Sequence, residues 1–184
     1  MDQHIGMPNR GRTALLVIDA QERLMPVIHK REEVCKNINI LIEGTQILGL
    51  PTIVTEQYPK GLGKTIEDIN LPEDTVSFEK MCFSCLAQSE LRSYLTDHRI
   101  GDLILCGVEA HICVLKTALE AAEVGFRVHV VADAISSRKP ENKMYAIERM
   151  KQSGIFITSA EMILFMLMDE AGNDEFKSIS KLIK

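Results

Sequence analysis

The chain of 184 residues contains no tryptophan, and only 5% of its residues are aromatic. It has no long run of Lys or Arg, and its net charge of -5 argues against nucleic acid as a partner. No apolar stretch approaches the roughly 18 residues that a membrane-spanning helix needs. Residues 1–4 lack the basic and apolar regions of a signal peptide. We therefore expect a cytoplasmic protein with neither a nucleic-acid nor a membrane partner.

Cysteine is sparse and odd in number. The five residues are Cys35, Cys82, Cys85, Cys106 and Cys113. An odd count without an export signal fits reduced thiols better than a disulfide framework. Cys82 and Cys85 form a C-x-x-C, but a zinc site would need a second ligand pair at comparable spacing. A thioredoxin-like motif would need an early strand that leads into a helix there. We interpret these two cysteines as small semi-apolar residues in a loop or a helix start.

Short apolar runs alternate with longer segments of helical periodicity along the whole chain. The predicted strands are residues 13–18, 51–55, 75–78, 101–106, 127–132 and 155–158. The predicted helices are residues 34–48, 87–97, 113–123, 140–151 and 160–168, while 56–75 and 133–138 are predicted loops. This alternation predicts a three-layer α/β/α fold with a mostly parallel sheet of about six strands. We expect a single domain over 1–184 with its core at 13–168, and a polar C-terminal tail over 169–184 with a short helix near 176–183.

Five residues with chemical or conformational significance come directly after predicted strands. They are Asp19, Glu56, Lys80, Gly107 and Asp133. In an open parallel sheet, ligands bind beyond the carboxyl ends of the strands, near a switch in strand order. The sequence therefore predicts a site at this edge of the sheet. No G-x-G-x-x-G follows the first predicted strand, so dinucleotide binding is disfavoured.

Cys113 opens a predicted helix after an apolar strand and a glycine turn. The unpaired N–H groups and the positive dipole end of a helix N-terminus favour the nucleophilic thiolate. The structural alternative is a small apolar side chain packed at the first helical turn. With Asp19 as general base and Lys80 as cationic support, the three residues would form a nucleophilic site. The alternatives for these two are a turn cap and a surface lysine.

Three segments, residues 14–21, 78–80 and 107–114, resemble the isochorismatase-like cysteine hydrolases. This superfamily includes nicotinamidases and N-carbamoylsarcosine amidohydrolases, and the resemblance extends over about residues 13–163. It implies a catalytic triad of Asp19, Lys80 and Cys113. It also implies a non-proline cis peptide bond at Val108–Glu109, which turns the amides of Glu109 and Cys113 toward an oxyanion.

The chain also departs from well-known members of that superfamily. Nicotinamidases carry an Asp/His metal cluster after the second strand, whereas this chain has Glu-Gln-Tyr-Pro at 56–59 and no histidine between His29 and His98. We therefore predict no catalytic zinc, no other metal and no cofactor, and nicotinamide becomes an unfavourable substrate. Ala-His at 110–111 replaces a common Thr-Asp pair and resembles a poorly assigned isochorismatase-domain subgroup. Isochorismate hydrolases reportedly use no cysteine nucleophile, so Cys113 argues against isochorismate.

The resemblance implies hydrolysis of a C–N bond in a small amide or related carbonyl compound through a thioester on the cysteine. Gln21, Gln57, Tyr58, Glu109 and His111 are predicted to line the substrate site. The alternative is a non-catalytic scaffold or binding protein of the same fold, with Cys113 as a redox-sensitive or vestigial thiol. We also expect a homo-oligomer, with the apolar segments 112–115 and 162–168 as candidate interfaces, although the nine Met residues could equally fill the core.

Overall fold

The computed structural model describes residues 6–184, so the segment 1–4 used above to judge a signal peptide lies outside the described residues. Six strands form one parallel sheet in the order β3-β2-β1-β4-β5-β6. Their bounds are β1 Thr13–Ile18, β2 Thr52–Gln57, β3 Val76–Lys80, β4 Asp102–Val108, β5 Arg127–Ser136 and β6 Phe156–Thr158. Over the described part of the chain there are seven α-helices: α1 Arg31–Ile47, α2 Pro59–Leu62, α3 Ser89–Asp97, α4 Leu115–Glu123, α5 Pro140–Gln152, α6 Ala160–Met166 and α7 Asp174–Leu182.

The predicted three-layer architecture is confirmed, because alternate residues of the central strands belong to separate cores on the two faces of the sheet. Leu15 and Val17 of β1 pack on the face covered by α1, α6 and α7. Leu16 and Ile18 pack on the opposite face, under α3, α4 and α5. β1 and β4 are therefore buried on both sides, which explains why their sequences are almost uninterrupted apolar runs.

Several element boundaries differ from the prediction. β2 continues to Gln57 and β5 to Ser136, so Glu56 and Asp133 lie within strands and not after them. Lys80 is likewise the last residue of β3, and Gly107 lies inside β4. Glu56 and Lys80 are held in extended conformation because β2 and β3 pair in parallel as far as Gln57 and Lys80. Asp133 instead lies in the irregular part of β5, where the pairing with β4 shifts register between Val130 and Ile135. The short helix α2 lies inside the segment predicted as a loop.

The polar C-terminal segment contains a helix close to its predicted position. α7 places Ile179 in the core beneath the sheet face that α1 covers. An ion pair between Arg10 and Glu175 links this helix to the start of the chain's described part, with 2.7 Å between Nη2 and Oε1. Across residues 6–184, every helix falls short of the length and apolarity needed to span a bilayer.

The strand order creates a crevice between β1 and β4. From β1 the chain proceeds through β2 to β3 on one side, whereas from β4 it proceeds through β5 to β6 on the other. Such a switch point leaves a gap beyond the carboxyl ends of the two central strands. Asp19 follows β1 and the cysteine turn follows β4, so both segments border the same crevice.

Gly107 allows these two strands to approach closely. Its φ is +105°, and a Cβ added there would lie 2.1 Å from the carbonyl oxygen of Ile18. Only glycine satisfies both the positive φ and the short distance. The chain after β4 can therefore turn directly beside the end of β1.

Candidate active site

Asp19 is held at the carboxyl end of β1 by its neighbours on β2 and β3. It has a left-handed φ of +50°, and its N–H donates to the carbonyl oxygen of Thr55 at 3.1 Å. The side chain is completely buried. Its Oδ1 accepts a hydrogen bond from Thr55 Oγ1 at 2.8 Å, and its Oδ2 accepts one from Lys80 Nζ at 2.6 Å. Asp19 is thus an oriented, desolvated carboxylate and not merely the cap of a turn.

Lys80 is not a surface lysine, since only 3% of the residue is exposed. In addition to Asp19, its Nζ donates to Gln57 Oε1 at 2.9 Å and approaches the carbonyl oxygens of Cys82 and Phe83 at 3.3 and 3.4 Å. Burial by itself lowers the pKa of Lys80. The nearby Asp19 carboxylate and the thiols raise it by a larger amount, so the net pKa lies above the ordinary lysine value. The side chain is therefore a permanent ammonium at neutral pH.

Cys113 lies in a wide helical turn, Ala110–Val114, that precedes α4. The prediction that it opens the α-helix is wrong, because the carbonyl oxygen of Glu109 accepts from the N–H groups of Ile112 and Val114 and closes this turn first. Cys113 is 6% exposed. Its thiol is close enough to the Asp19 carboxylate for a hydrogen bond that influences the pKa of both groups.

The protonation states follow from this arrangement. Burial raises the pKa of Cys113 far above that of a free thiol, and the negative charge of Asp19 raises it further. These two effects oppose the stabilisation of a thiolate by the helix terminus, and they favour the neutral thiol as the resting form of Cys113. Burial also raises the pKa of Asp19, while Lys80, Cys113 and Thr55 stabilise its ionised form. The site thus pairs a neutral thiol with a carboxylate more basic than an ordinary aspartate.

Gln21 and Gln57, both predicted to line the substrate site, are each hydrogen-bonded to other parts of the protein. Gln21 is fully buried, and its Nε2 donates to the carbonyl oxygens of Gln57 at 3.0 Å and Gly63 at 2.7 Å. Its Oε1 accepts from the N–H of Gln57 at 2.7 Å. The Gln57 side chain then bridges Lys80 and the carbonyl oxygen of Met81. These contacts orient the Lys80 ammonium, and they use both amide protons and one acceptor position of the Gln21 side chain.

Tyr58 differs from the two glutamines because 47% of it is exposed. It borders a cavity of about 350 Å³, lined by Tyr58, Pro59, Lys60, Glu79, Lys80 and Met81. Its N–H donates to the carbonyl oxygen of Lys80 at 2.9 Å, which fixes its position relative to β3. The predicted position of Tyr58 at the mouth of a site is therefore compatible with this geometry.

Glu109 and His111 are bonded to the segment between β5 and α5. Glu109 follows a cis peptide bond from Val108, at the position that the family resemblance implies. Its Oε2 accepts from the N–H and the Nε of Arg138 at 3.0 and 3.1 Å. His111 Nδ1 lies 2.9 Å from Ser137 Oγ, and its Nε2 lies 3.2 Å from Asn142 Nδ2. These two side chains anchor the cysteine turn to the adjacent loop.

Two residues of this site escaped the sequence analysis. Thr55 was taken only as a strand former and Cys85 only as half of an unremarkable C-x-x-C. The sole available signal for Thr55 was its position at the end of a strand that neighbours Asp19. Nothing in the spacing of Cys85 indicates that its sulfur lies 3.6 Å from Thr55 Oγ1.

The isochorismatase domain family matches residues 13–162, which is most of the chain. The chain belongs to the isochorismatase family. This confirms the family inferred from the three sequence segments above.

Two relatives and one solved structure illustrate this membership. The chain is 42% identical over 178 residues to the secreted isochorismatase effector Isc1 of Phytophthora sojae, covering 94% of this chain and 84% of the relative. It is 39% identical over 186 residues to isochorismatase domain-containing protein 2 of Danio rerio, covering 97% and 90%. A structure of MAR1 ribonuclease from Caenorhabditis elegans superposes with a TM-score of 0.87 at 39% identity, covering 96% and 91%.

In this isochorismatase-family chain, the carboxylate of Glu56 near the end of β2 is not directed to a cluster of metal-ligand side chains among the described residues. Glu56 Oε1 instead accepts from the N–H and Oγ1 of Thr65 at 2.7 and 2.9 Å. Among residues 6–184 there is no group of three or more His, Cys, Asp or Glu side chains arranged to hold a metal ion. The absence of a catalytic metal stays a prediction, to be tested by metal analysis of the purified protein.

Proposed function

We propose that this isochorismatase-family protein is a cysteine hydrolase that cleaves the C–N bond of a small amide or related carbonyl compound. The observation that supports this most directly is the buried Asp19 carboxylate, held at 2.6 Å by Lys80 and facing the neutral thiol of Cys113. A buried ion pair is costly to desolvate and contributes little to stability. Its location beside a thiol in the switch-point crevice is typical of a catalytic base.

In the first half of the reaction, Asp19 accepts the thiol proton while Cys113 Sγ attacks the substrate carbonyl carbon. The new S–C bond forms as the carbonyl π electrons move to oxygen. We assign the amides of Glu109 and Cys113 to bind that oxyanion, and such a donor contributes about 3 kcal/mol to transition-state stabilisation. The Asp19 proton then passes to the nitrogen, the C–N bond breaks, and a thioester remains on Cys113.

In the second half, a water molecule takes the place of the departed amine. Asp19, again ionised, accepts a proton from that water as its oxygen attacks the thioester carbonyl. The C–S bond breaks, the acid leaves, and Cys113 recovers its proton from Asp19. Lys80 remains an ammonium throughout and keeps the carboxylate available as a base. Every proton transfer uses this chain's own residues, so the proposed cycle needs no metal or cofactor.

The alternative function is a scaffold or binding protein whose Cys113 is a redox-sensitive or vestigial thiol. The raised pKa of Cys113 argues against a redox sensor, because oxidation proceeds through the thiolate. The Caenorhabditis elegans relative carries the name ribonuclease. The net charge of -5 does not favour binding of a polyanion by this chain. RNA therefore belongs in the assay as a comparison substrate.

The test is a panel of small amides, with a short RNA included, assayed with the wild-type protein and with Cys113→Ala. The matched control is Cys35→Ala, because Cys35 is also buried but packs under the opposite side of the sheet in α1. Mass spectrometry of the quenched reaction should reveal an acyl adduct on the wild type and on the control variant, and none on Cys113→Ala. All three proteins should keep the same circular dichroism spectrum.

Turnover that persists in Cys113→Ala would refute the thioester mechanism. Reversible oxidation of Cys113 with no acyl adduct on any amide would favour the scaffold alternative. RNA cleavage that survives the loss of Cys113 would assign the activity to another site.

We also propose a homo-oligomer located in the cytoplasm. Segment 112–115 is a poor interface, because Cys113 and Val114 are buried within the chain's own core. Met162 and Phe165 of α6 are more suitable, since 52% and 38% of them are exposed. Light scattering on the purified protein measures the assembly, and fluorescent tagging in the source cells tests the location.

A further inference from the structure

Thr55 makes two hydrogen bonds to Asp19, the proposed base, whereas Lys80 makes one. It lies in β2 opposite Ile18 and is completely buried. Its carbonyl oxygen accepts from the N–H of Asp19 at 3.1 Å, and its hydroxyl donates to Asp19 Oδ1 at 2.8 Å. One residue therefore holds both the backbone and the carboxylate of Asp19.

Cys85 lies behind this threonine. Its Sγ is 3.6 Å from Thr55 Oγ1, and the residue is completely buried. Because the Thr55 proton is donated to Asp19, the thiol of Cys85 is the donor in the second contact. Burial raises the pKa of Cys85 to about 11, so this thiol carries a proton at neutral pH. The N–H of Cys85 donates to Thr117 Oγ1 at 3.0 Å, which ties the sulfur to α4.

We propose that Thr55, aligned by Cys85, is a positioning residue that keeps Asp19 ionised and directs it toward Cys113. The hydrogen bonds run in one direction, from the Cys85 thiol to the Thr55 hydroxyl and on to Asp19 Oδ1. A carboxylate that accepts at both oxygens is stabilised in its ionised form. This inference rests on the proposed role of Asp19 as the base.

The groups that act on Asp19 come from four elements. Lys80 of β3 places its positive charge beside Asp19 Oδ2. Cys113, in the turn before α4, carries the proton that Asp19 is proposed to accept. Cys85 lies before α3. Thr55 of β2 is the remaining neighbour and the only one of these four that cannot titrate. Its removal therefore changes the basicity of Asp19 without removing a charge.

The test measures alkylation of Cys113 by iodoacetamide between pH 4 and pH 9, with peptide mass spectrometry to separate Cys113 from the other cysteines. Thr55→Val removes the hydroxyl at nearly constant shape, and Thr55→Ser retains it. The matched control is Thr52→Val in the same strand, where the hydroxyl lies 3.4 Å from Thr45 and away from the triad.

In the wild type, the alkylation rate should fall on the acid side as Asp19 takes up a proton. In Thr55→Val this decline should move to higher pH by about one unit, since a hydrogen bond to a charged group contributes on that scale. Thr55→Ser and Thr52→Val should retain the wild-type profile. Cys85→Ala should show a smaller shift in the same direction, and Cys85→Ser should largely restore the wild-type profile.

The inference would be overturned if the acid limb of the profile, meaning the decline of the alkylation rate toward low pH, were unchanged in Thr55→Val. A loss of rate that is equal at every pH would overturn it as well, because that result indicates general disturbance of the site. No substrate is used, so the result stands whether or not an amide is turned over. If the wild type itself shows no acid limb, the role of Asp19 as base fails, and the proposed function and this inference fall together.

Discussion

Replacing Lys80 by Met should destabilise the fold strongly and in a pH-dependent manner. Both side chains of the Lys80–Asp19 pair are fully buried, and the N–O distance is 2.6 Å. The substitution preserves most of the side-chain volume but removes the cation that contacts Asp19 Oδ2. It also leaves Gln57 Oε1 without its donor. Breaking a buried pair from one side costs about 3–5 kcal/mol of unfolding free energy, and we expect that range at pH 7.

The sign of the pH dependence follows from Asp19. Burial already raises its folded-state pKa above the unfolded value, and loss of Lys80 raises it further, because Lys80 is the largest influence that lowers it. A carboxyl group whose pKa is higher in the folded state stabilises the fold when it is protonated. This contribution to the free energy of unfolding is fully present below the unfolded-state pKa of about 4, and it is lost as the pH rises through the folded-state pKa. The stability gap between Lys80→Met and the wild type should therefore be small near pH 4 and widen toward pH 7.

Urea unfolding at a series of pH values measures this gap, with the m value checking that the unfolded states are comparable. Lys116→Met is the matched control, because Lys116 pairs with Glu120 at 3.1 Å but the two side chains are 56% and 35% exposed. The free energy of unfolding of that variant should fall by less than about 0.5 kcal/mol at every pH. A cost below about 1 kcal/mol for Lys80→Met, or one that is independent of pH, would refute the assignment of a charged buried pair.

Two further substitutions test how the backbone forms the site. Gly107→Ala should cost about 3–5 kcal/mol in urea unfolding, since its Cβ would lie 2.1 Å from the Ile18 carbonyl oxygen at a φ of +105°. The control is Gly125→Ala, because Gly125 also has a positive φ but no atom lies within 4 Å of the added Cβ. It should lower the free energy of unfolding by about 1–2 kcal/mol. Equal losses in the two glycine variants would contradict the close approach of β4 to β1. Gln21→Ala removes three buried hydrogen bonds to the backbone and should cost about 3–5 kcal/mol. The control is Gln46→Ala at an exposed position, which should change the free energy of unfolding by less than about 0.5 kcal/mol. A similar loss in the Gln21 and Gln46 variants would show that the Gln21 hydrogen bonds contribute little to stability.

The fold and the edge of the sheet that carries the site could be read from the sequence. Residues 13–18 form a strand with the predicted bounds, and apart from the short helix α2 the strands and α-helices follow one another in the predicted order. Those features depend on local periodicity and on the general rule that parallel strands place their carboxyl ends together. Boundaries failed where a polar residue such as Glu56 continues a strand, because its extended conformation depends on a neighbouring strand and not on its own propensity. The boundary at Asp133 failed because β5 continues through a register irregularity that local propensity does not indicate.

The roles of individual polar side chains could not be read in the same way. Gln21 and Thr55 have ordinary sequence surroundings, yet each bonds across strands to the residues around Asp19. For Cys113 the sequence indicates only the helix-terminus effect that favours a thiolate, whereas the burial and the adjacent carboxylate that favour the thiol arise from the tertiary structure.

By itself, the sequence determined the α/β/α fold, the family, and the proximity of an aspartate, a lysine and a cysteine at one sheet edge, because apolar periodicity and motif identity are local properties of the chain. Only the tertiary structure decided which amides orient the lysine, which hydroxyl supports the aspartate, and whether the sulfur is charged. Those outcomes depend on distances of a few ångströms between residues far apart in sequence, and on how completely water is excluded around them.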